Sequence, residues 1–424
     1  MFRTISFVRL SCLALLIHGA HAQGADPLPP IAPAEAGFSP QALDRIDQFF
    51  AREVAADRIP GGVVAIARNG RLVYFKSHGY LDKAAGTPMP RDAIFNLASM
   101  TKVMASVAAL RLNEEGRLPL KSRLDSYYPE FANMKVGVPG AGDLTLKAVD
   151  NPIFIHDLLR HTSGLIYGGR GNHPISKLYP NGYVALDVTS AEFLGTLTKL
   201  PLAHQPGTAF EYGFSTDVLG LVVEKVAGKQ LGDYLNEIVW GPVGMPDTAF
   251  SVPDAKRARL AKALPFDPVS KNPQRILVLE KTPKFHCGGA CAYGTVGDYL
   301  RFGQMLLDGG AIDGKRVLSP KTVAFMTSNH LGPTIVNNVP LVEPHRDGYS
   351  FGLGVAVRMH EGIAAIPGSK GDYSWNGANG TAYWADPKEK LVVVMGTVGP
   401  GDIRKYFREQ LTDLVYGAMT KLHD

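Results

Sequence analysis

The sequence predicts an α/β sandwich: an antiparallel β-sheet flanked by N- and C-terminal helices, with a large helical lobe inserted. Three observations predict it. Two β-rich runs surround Asn69-Gly70 in GGVVAIARNGRLVYFKSHGY, the strongest short hairpin signal. A second strand pair, TAYWADPKEKLVVVMGT, turns through a proline near the other terminus. The chain between them reads as helix and loop. Joining both ends in one sheet makes the middle an insertion and places the expected site in the cleft between the two parts.

The elements follow in order. Residues 1–22 look like a removable leader: Arg3 and Arg9 supply positive charge, Leu10 to Ile17 a short apolar run, and Ala20-His21-Ala22 a small-residue cleavage site. Cleavage near Ala22 implies a periplasmic or secreted protein. It removes two arginines, lowering the net charge from +5 to +3. No later segment reaches membrane-spanning length. Residues 23–38, rich in Pro and Ala, read as a linker. Ser39-Pro40 then supplies an N-cap and an N1 proline, and Leu43, Ile46, Phe50 and Val54 recur at helical spacing. AEFLGTLTKL, TDVLGLVVEKVAG and VGDYLRFGQMLLDGG read as helices ending at glycine or turn residues. The last helix carries Ile403, Phe407, Leu411, Leu414 and Met419 on one face. One domain therefore spans 39–420, its α/β part from 39–98 and 331–420 and its helical lobe from 99–330.

With 424 residues, 45% of them hydrophobic, the chain can bury a large core. Its mild basicity shows no Lys/Arg stripe and no aromatic-plus-basic module, which excludes a nucleic-acid footprint. Cys287 and Cys291, in FHCGGACAYG, are open to either a disulfide or two free thiols. His286 beside them lacks a fourth clustered ligand, so no metal is assigned and no cofactor is implied.

The chemistry starts at Ser99-Met100-Thr101-Lys102, inside FNLASMTKVMASVAALRLNEEG. A serine at a helix start is ordinarily a cap, and a lysine there ordinarily reaches solvent. Positions three apart share a helix face, however. Met100, Val103, Met104 and Ala105 would bury the lysine stem, and burial disfavours the charged amine. A neutral Lys102 can then take the Ser99 proton and activate a weak nucleophile. Two further pieces are PGTAFEYGFSTDVLG, with Tyr212 just before a helix, and GDYSWNGANGTAYWADP, where Gly377 and Gly380 allow close backbone approach before a strand.

Together with LLRHTSGL and GDYLRFGQMLLDGG, these pieces resemble the serine β-lactamase and penicillin-binding-protein superfamily. The nearest resemblance is to class C β-lactamases and the family VIII carboxylesterases, over nearly all of residues 38–420. The resemblance implies a β-lactamase/transpeptidase-like fold. It assigns Ser99 as the acylated nucleophile, Lys102 as its activator and Tyr212 as the proton-sharing tyrosine. The backbone N–H groups of Ser99 and Ala378 become the oxyanion hole, and His161 is structural.

Two departures point from lactam toward ester. Where the lactamases have Tyr-x-Asn, Phe214 stands here, unless the register slips and Ser215 substitutes. Phenylalanine has no hydrogen-bonding group. Where the family has a cation on the Lys-Thr-Gly strand, Trp375 stands here, which predicts a preference for neutral acyl groups. Trp375, Gly377, Phe214 and the loop Leu165 to Gly182 are the expected substrate contacts. The reading is an exported serine hydrolase of short-chain carboxylic esters, with weak β-lactam hydrolysis as a side activity. The alternatives are a β-lactamase or D-amino-acid peptidase, or a non-catalytic penicillin-binding module. The partner is a small-molecule ester or lactam; the oligomeric state is left open.

Overall fold

Strand Gly61–Arg68 is apolar along its whole length because both of its faces are covered. Val63, Ala65 and Ala67 face one core, and Val64 and Ile66 face another. Its neighbour Leu391–Thr397 divides likewise, Val392 and Val394 against Leu391, Val393 and Met395. The computed structural model describes residues 25–139, 144–170, 173–182, 188–274, 276 and 283–423. The leader reading falls outside these residues.

The central sheet has eight strands. From edge to edge they are Tyr349–Phe351, Ala356–Arg358, Tyr373–Asn376, Ala382–Asp386, Leu391–Thr397, Gly61–Arg68, Arg71–Asp82 and Thr87–Pro88. Neighbours are antiparallel throughout. Val64 lies opposite Met395, so the N-terminal hairpin and the C-terminal strands join at mid-sheet, as the sequence predicts. Asn69 and Gly70 have φ of 53° and 71°, the positive values a two-residue hairpin turn needs.

Helices Pro40–Ala55 and Ile403–Tyr416 cover one face, with Phe49 and Phe407 edge-on at 5.8 Å. The Ser39 hydroxyl accepts from the Ala42 N–H at 3.2 Å and caps the first of these helices. Helix Val296–Leu307 covers the opposite face, against strands Gly61–Arg68 and Leu391–Thr397. The inserted lobe thus ends before that helix rather than at 330, because the sheet's second apolar face requires cover.

Residues 25–38 also differ from the linker reading. Leu28 and Phe38 are buried, the Ile31 N–H donates to the Leu72 carbonyl at 3.0 Å, and the Leu72 N–H donates to the Pro29 carbonyl at 2.9 Å. Prolines lack a donor but keep an acceptor, so this segment can lie along a strand without pairing fully.

In the lobe, helix Thr101–Glu114 is buried on every side from Thr101 to Leu110 and packs against helix Ser215–Ala227. Among the described residues no helix is long and apolar enough to cross a membrane.

Phe407 is fully buried and Leu422 is 75% exposed. Phe407→Ala should cost about 3–5 kcal/mol of stability, and Leu422→Ala less than about 0.5 kcal/mol, compared by chemical denaturation.

Candidate active site

The chain turns from strand Ile94–Asn96 into helix Thr101–Glu114 through Leu97–Met100. Ala98 in this turn has φ of 45°, a strained value for a residue with a Cβ. Its backbone is held on both sides. The Asn96 carboxamide oxygen accepts the Ala98 N–H at 2.8 Å, and the Thr101 hydroxyl donates to the Ala98 carbonyl at 2.7 Å. Ser99 is left half-buried on the wall of an open cavity, between the buried Ala98 and Met100.

One turn later, Lys102 is 1% exposed. Its Nζ donates to Ser99 Oγ at 3.4 Å, to the Tyr167 hydroxyl at 3.1 Å and to the Gly289 carbonyl at 2.6 Å. Nζ also lies 4.7 Å from the centre of the Tyr212 ring, over its face. The serine and lysine thus meet as their spacing predicts. The tyrosine in hydrogen-bond contact with the lysine is Tyr167, however; Tyr212 offers its ring.

Tyr167 and Asp217 escaped the motif reading, although Tyr167 lies on the loop picked out as a pocket wall. The Tyr167 hydroxyl donates to Asp217 Oδ2 at 3.3 Å, and the Gly289 N–H donates to Asp217 Oδ1 at 3.0 Å. Burial, then the charge of Asp217, pushes the Tyr167 phenol well above its ordinary range. Burial pushes the Asp217 carboxyl up to about 6 against the pull of Lys102 and the Gly289 N–H. Glycine is required at 289, where a Cβ would stand 2.3 Å from Asp217 Oδ2. A disulfide between Cys287 and Cys291 closes the loop that carries Gly289, deciding between the two states the sequence allows. His286 accepts the Gly232 N–H at 3.2 Å and stacks on Phe250.

Tyr212 is 7% exposed and lines the cavity beside Ser99. Its hydroxyl accepts from Trp375 Nε1 at 3.3 Å. Trp375 is itself buried, packed on Phe351 and Tyr212, with the Arg346 guanidinium 5.0 Å over its ring. It reaches only a small side pocket of about 30 Å³, which Gly377 also lines.

Phe214 does not line the cavity. It is fully buried, 4.5 Å edge-on from the Tyr167 ring and 5.5 Å from Phe193. Nor does Ser215 substitute, since its hydroxyl pairs with that of Ser163 at 2.8 Å. The absent asparagine is replaced in effect by Tyr167, whose ring rests on Phe214 and whose hydroxyl meets the lysine. His161 is fully buried, bonded to the Thr216 hydroxyl at 3.2 Å, and kept neutral by burial and nearby Lys102.

Ala378 and Ser99 both line the cavity. The turn bearing Ala378 lies against the serine elbow: a Cβ on Gly377 would be 2.0 Å from Thr381 Oγ1 and 2.5 Å from the Leu97 carbonyl oxygen. Buried Arg408 braces this turn by donating to the Gly377 carbonyl and to Glu343. Asn376 donates to the same carboxylate at 2.5 Å, and Arg346 at 3.2 Å. Burial alone would raise the Glu343 carboxyl, but Arg408, Arg346 and His345 hold it well below the ordinary range.

The cavity measures about 290 Å³. Its walls include Tyr167, Gly168, Asn181 and Ala290, and also Arg170 and Arg404. A cavity without a cation, as Trp375 implies for the strand, is therefore not what the fold builds; the charge comes from a loop and a helix instead.

A chain with this sheet, this lobe and a serine-lysine pair at their junction has the architecture of a serine hydrolase of the β-lactamase fold. It belongs to the beta-lactamase family, whose model matches residues 46–412. Protein Rv1367c of Mycobacterium tuberculosis is 35% identical over 82% of this chain and 88% of its own length. Esterase EstB of Burkholderia gladioli is 29% identical over 83% and 89%. The solved structure of EstCE1, a hydrolase with promiscuous acyltransferase activity, superposes with a TM-score of 0.70 at 27% identity, covering 89% of this chain and 99% of that one. The protein is a serine hydrolase of the β-lactamase fold, with esterases among its relatives.

Tyr167→Phe keeps the ring and removes one partner of Lys102. It should lower kcat by roughly tenfold or more and cost about 1–3 kcal/mol of stability, because the buried amine loses a partner. The Asp217 carboxyl lies above the 3.8 of a free aspartate, so folding favours its protonated form. The stability this group contributes is complete below that value and is lost as pH rises through about 6. Asp217→Asn cannot ionise and should gain on the wild type as pH rises from about 4 to about 6, with the gain then constant at higher pH, read as the difference in thermal midpoints.

Proposed function

We propose that this protein is an exported esterase that cleaves short-chain carboxylic esters through an acyl-enzyme on Ser99. The observation that carries the reading is the 3.4 Å contact from the buried Lys102 Nζ to the Oγ of Ser99, which lies on the wall of a solvent-open cavity. In the step we draw, Lys102 Nζ takes the Ser99 proton as Oγ attacks the ester carbonyl. Lys102 Nζ passes that proton on to the leaving alcohol, and Tyr212, which gives the lysine its ring face while its hydroxyl accepts from Trp375, lines the cavity beside them. The N–H groups of Ser99 and Ala378 receive the developing oxyanion, an interaction typically worth a few kcal/mol per donor. The alcohol leaves with a proton, and water then attacks the acyl-enzyme and releases the acid. Tyr167 and Asp217 hold the lysine in place.

Support for esters comes from the relatives: EstB is named an esterase and EstCE1 a hydrolase. Support for export comes from the leader-like residues 1–22 and from the disulfide Cys287–Cys291, which suits an oxidising compartment.

Purified protein should turn over p-nitrophenyl butyrate, and Ser99→Ala should lower that rate by about 10⁴-fold or more while the fold is retained. Lys102→Ala should lose at least about 10³-fold. Activity surviving in Ser99→Ala would identify another nucleophile. Fast nitrocefin hydrolysis with negligible ester cleavage would replace the ester reading with the lactam one.

A further inference from the structure

Two guanidinium groups border Ser99 and take no part in the acyl transfer drawn above. Arg170 follows Tyr167 on the lobe side, exposed to solvent, its guanidinium carbon 5.2 Å from the centre of the Tyr212 ring. Arg404 comes from the first turn of helix Ile403–Tyr416 on the sheet side, and one of its nitrogens donates to the Gly401 carbonyl. Both line the main cavity and its side pocket, as Ser99 and Tyr212 do.

Several arginines elsewhere have carboxylate partners: Arg68 has Glu389 at 2.7 Å, Arg259 has Asp247 at 2.5 Å, and Arg358 has Asp372 at 2.6 Å, whereas surface Arg71 and Arg316 meet only backbone carbonyls. Among the described residues, no carboxylate lies within ion-pair distance of Arg170 or Arg404. Acids nearby are engaged already: Asp267, beside Gly401, accepts the Val269 and Ser270 N–H groups. Asp402 pairs with Lys405 at 3.0 Å, and Glu343 is taken by Arg408 and Arg346. The cavity therefore presents two cations, from opposite walls, with no counter-ion of its own. A planar guanidinium binds a carboxylate through two parallel N–H donors, and a partly enclosed site screens that attraction less than open water does.

We infer that the preferred ester of this enzyme carries a carboxylate or similar anionic group, held by Arg170 and Arg404. The inference rests on the esterase reading and narrows it. It reverses the expectation of neutral substrates drawn from Trp375 alone. The chemistry is ordinary ester hydrolysis, and the anionic group stays unchanged on whichever product bears it.

The test compares matched esters on the full chain. On the acyl side, p-nitrophenyl hydrogen glutarate is set against p-nitrophenyl pentanoate. On the alcohol side, 4-(butanoyloxy)benzoate is set against phenyl butyrate. Rates are divided by those of hydroxide hydrolysis to remove intrinsic reactivity. In one pair the anionic ester should be favoured in kcat/KM by about tenfold or more at low salt, and the preference should shrink as salt is added. The responding pair tells which side of the ester carries the charge. Arg170→Gln and Arg404→Gln should each lower that ratio by about three- to tenfold through KM, and the double variant should abolish it. Thermal midpoints check that these variants fold. Equal rates within both pairs, or ratios unmoved in the variants, would overturn the inference and leave the esterase reading standing. No turnover of any ester would overturn both.

Discussion

A primary amine shut away from water governs this structure. Lys102 Nζ has three polar partners, each from a different part of the chain: Ser99 on its own helix turn, Tyr167 on a loop 65 residues on, and Gly289 on a loop 187 residues on. A buried amine missing one of these partners would carry an uncompensated desolvation cost. The three segments must therefore arrive together, and the lobe can dock in few other ways. Gly289 tightens the arrangement, because its carbonyl receives the lysine while its N–H binds Asp217 on the neighbouring helix. The disulfide at Cys287 and Cys291 limits how far that loop can move.

The other half of the site is set by the sheet. Strand Tyr373–Asn376 ends in the turn that brings Ala378 beside Ser99, and this turn is held by the buried Arg408–Glu343 pair. A buried ion pair is a weak source of stability, since desolvation offsets attraction. Here it fixes where a backbone segment lies, with Asn376 and Arg346 completing the carboxylate's hydrogen bonds. Trp375 serves the same end. Its indole N–H fixes the Tyr212 oxygen, and its ring fills space between Tyr212 and Phe351. A residue that looks like a specificity change in the sequence acts in the fold as a support for the tyrosine.

Phe214 and Arg404 show how specificity and support exchange places. Phe214 stands at a motif position tied to substrate contact, yet it packs beneath Tyr167. Arg404 stands in no motif, yet it forms part of the cavity wall. In this cavity a phenol from a loop meets the lysine, and the positive charge comes from guanidiniums on a loop and a helix.

By itself the sequence determined the features that depend on near neighbours. Positive φ at Asn69-Gly70 makes the hairpin, period-two and period-3.6 patterns make the central strands and the flanking helices, and three-residue spacing puts Ser99 and Lys102 on one helix face. Only the tertiary structure decided which tyrosine meets the lysine, that Asp217 lies behind it, that residues 25–38 pack on the sheet rather than hang free, and that Arg170 and Arg404 face one cavity. These depend on contacts across tens to hundreds of residues. Periodicity carries no information about such pairings, because many alternative dockings bury the same apolar faces. Polar groups seeking partners in a dry interior choose among them.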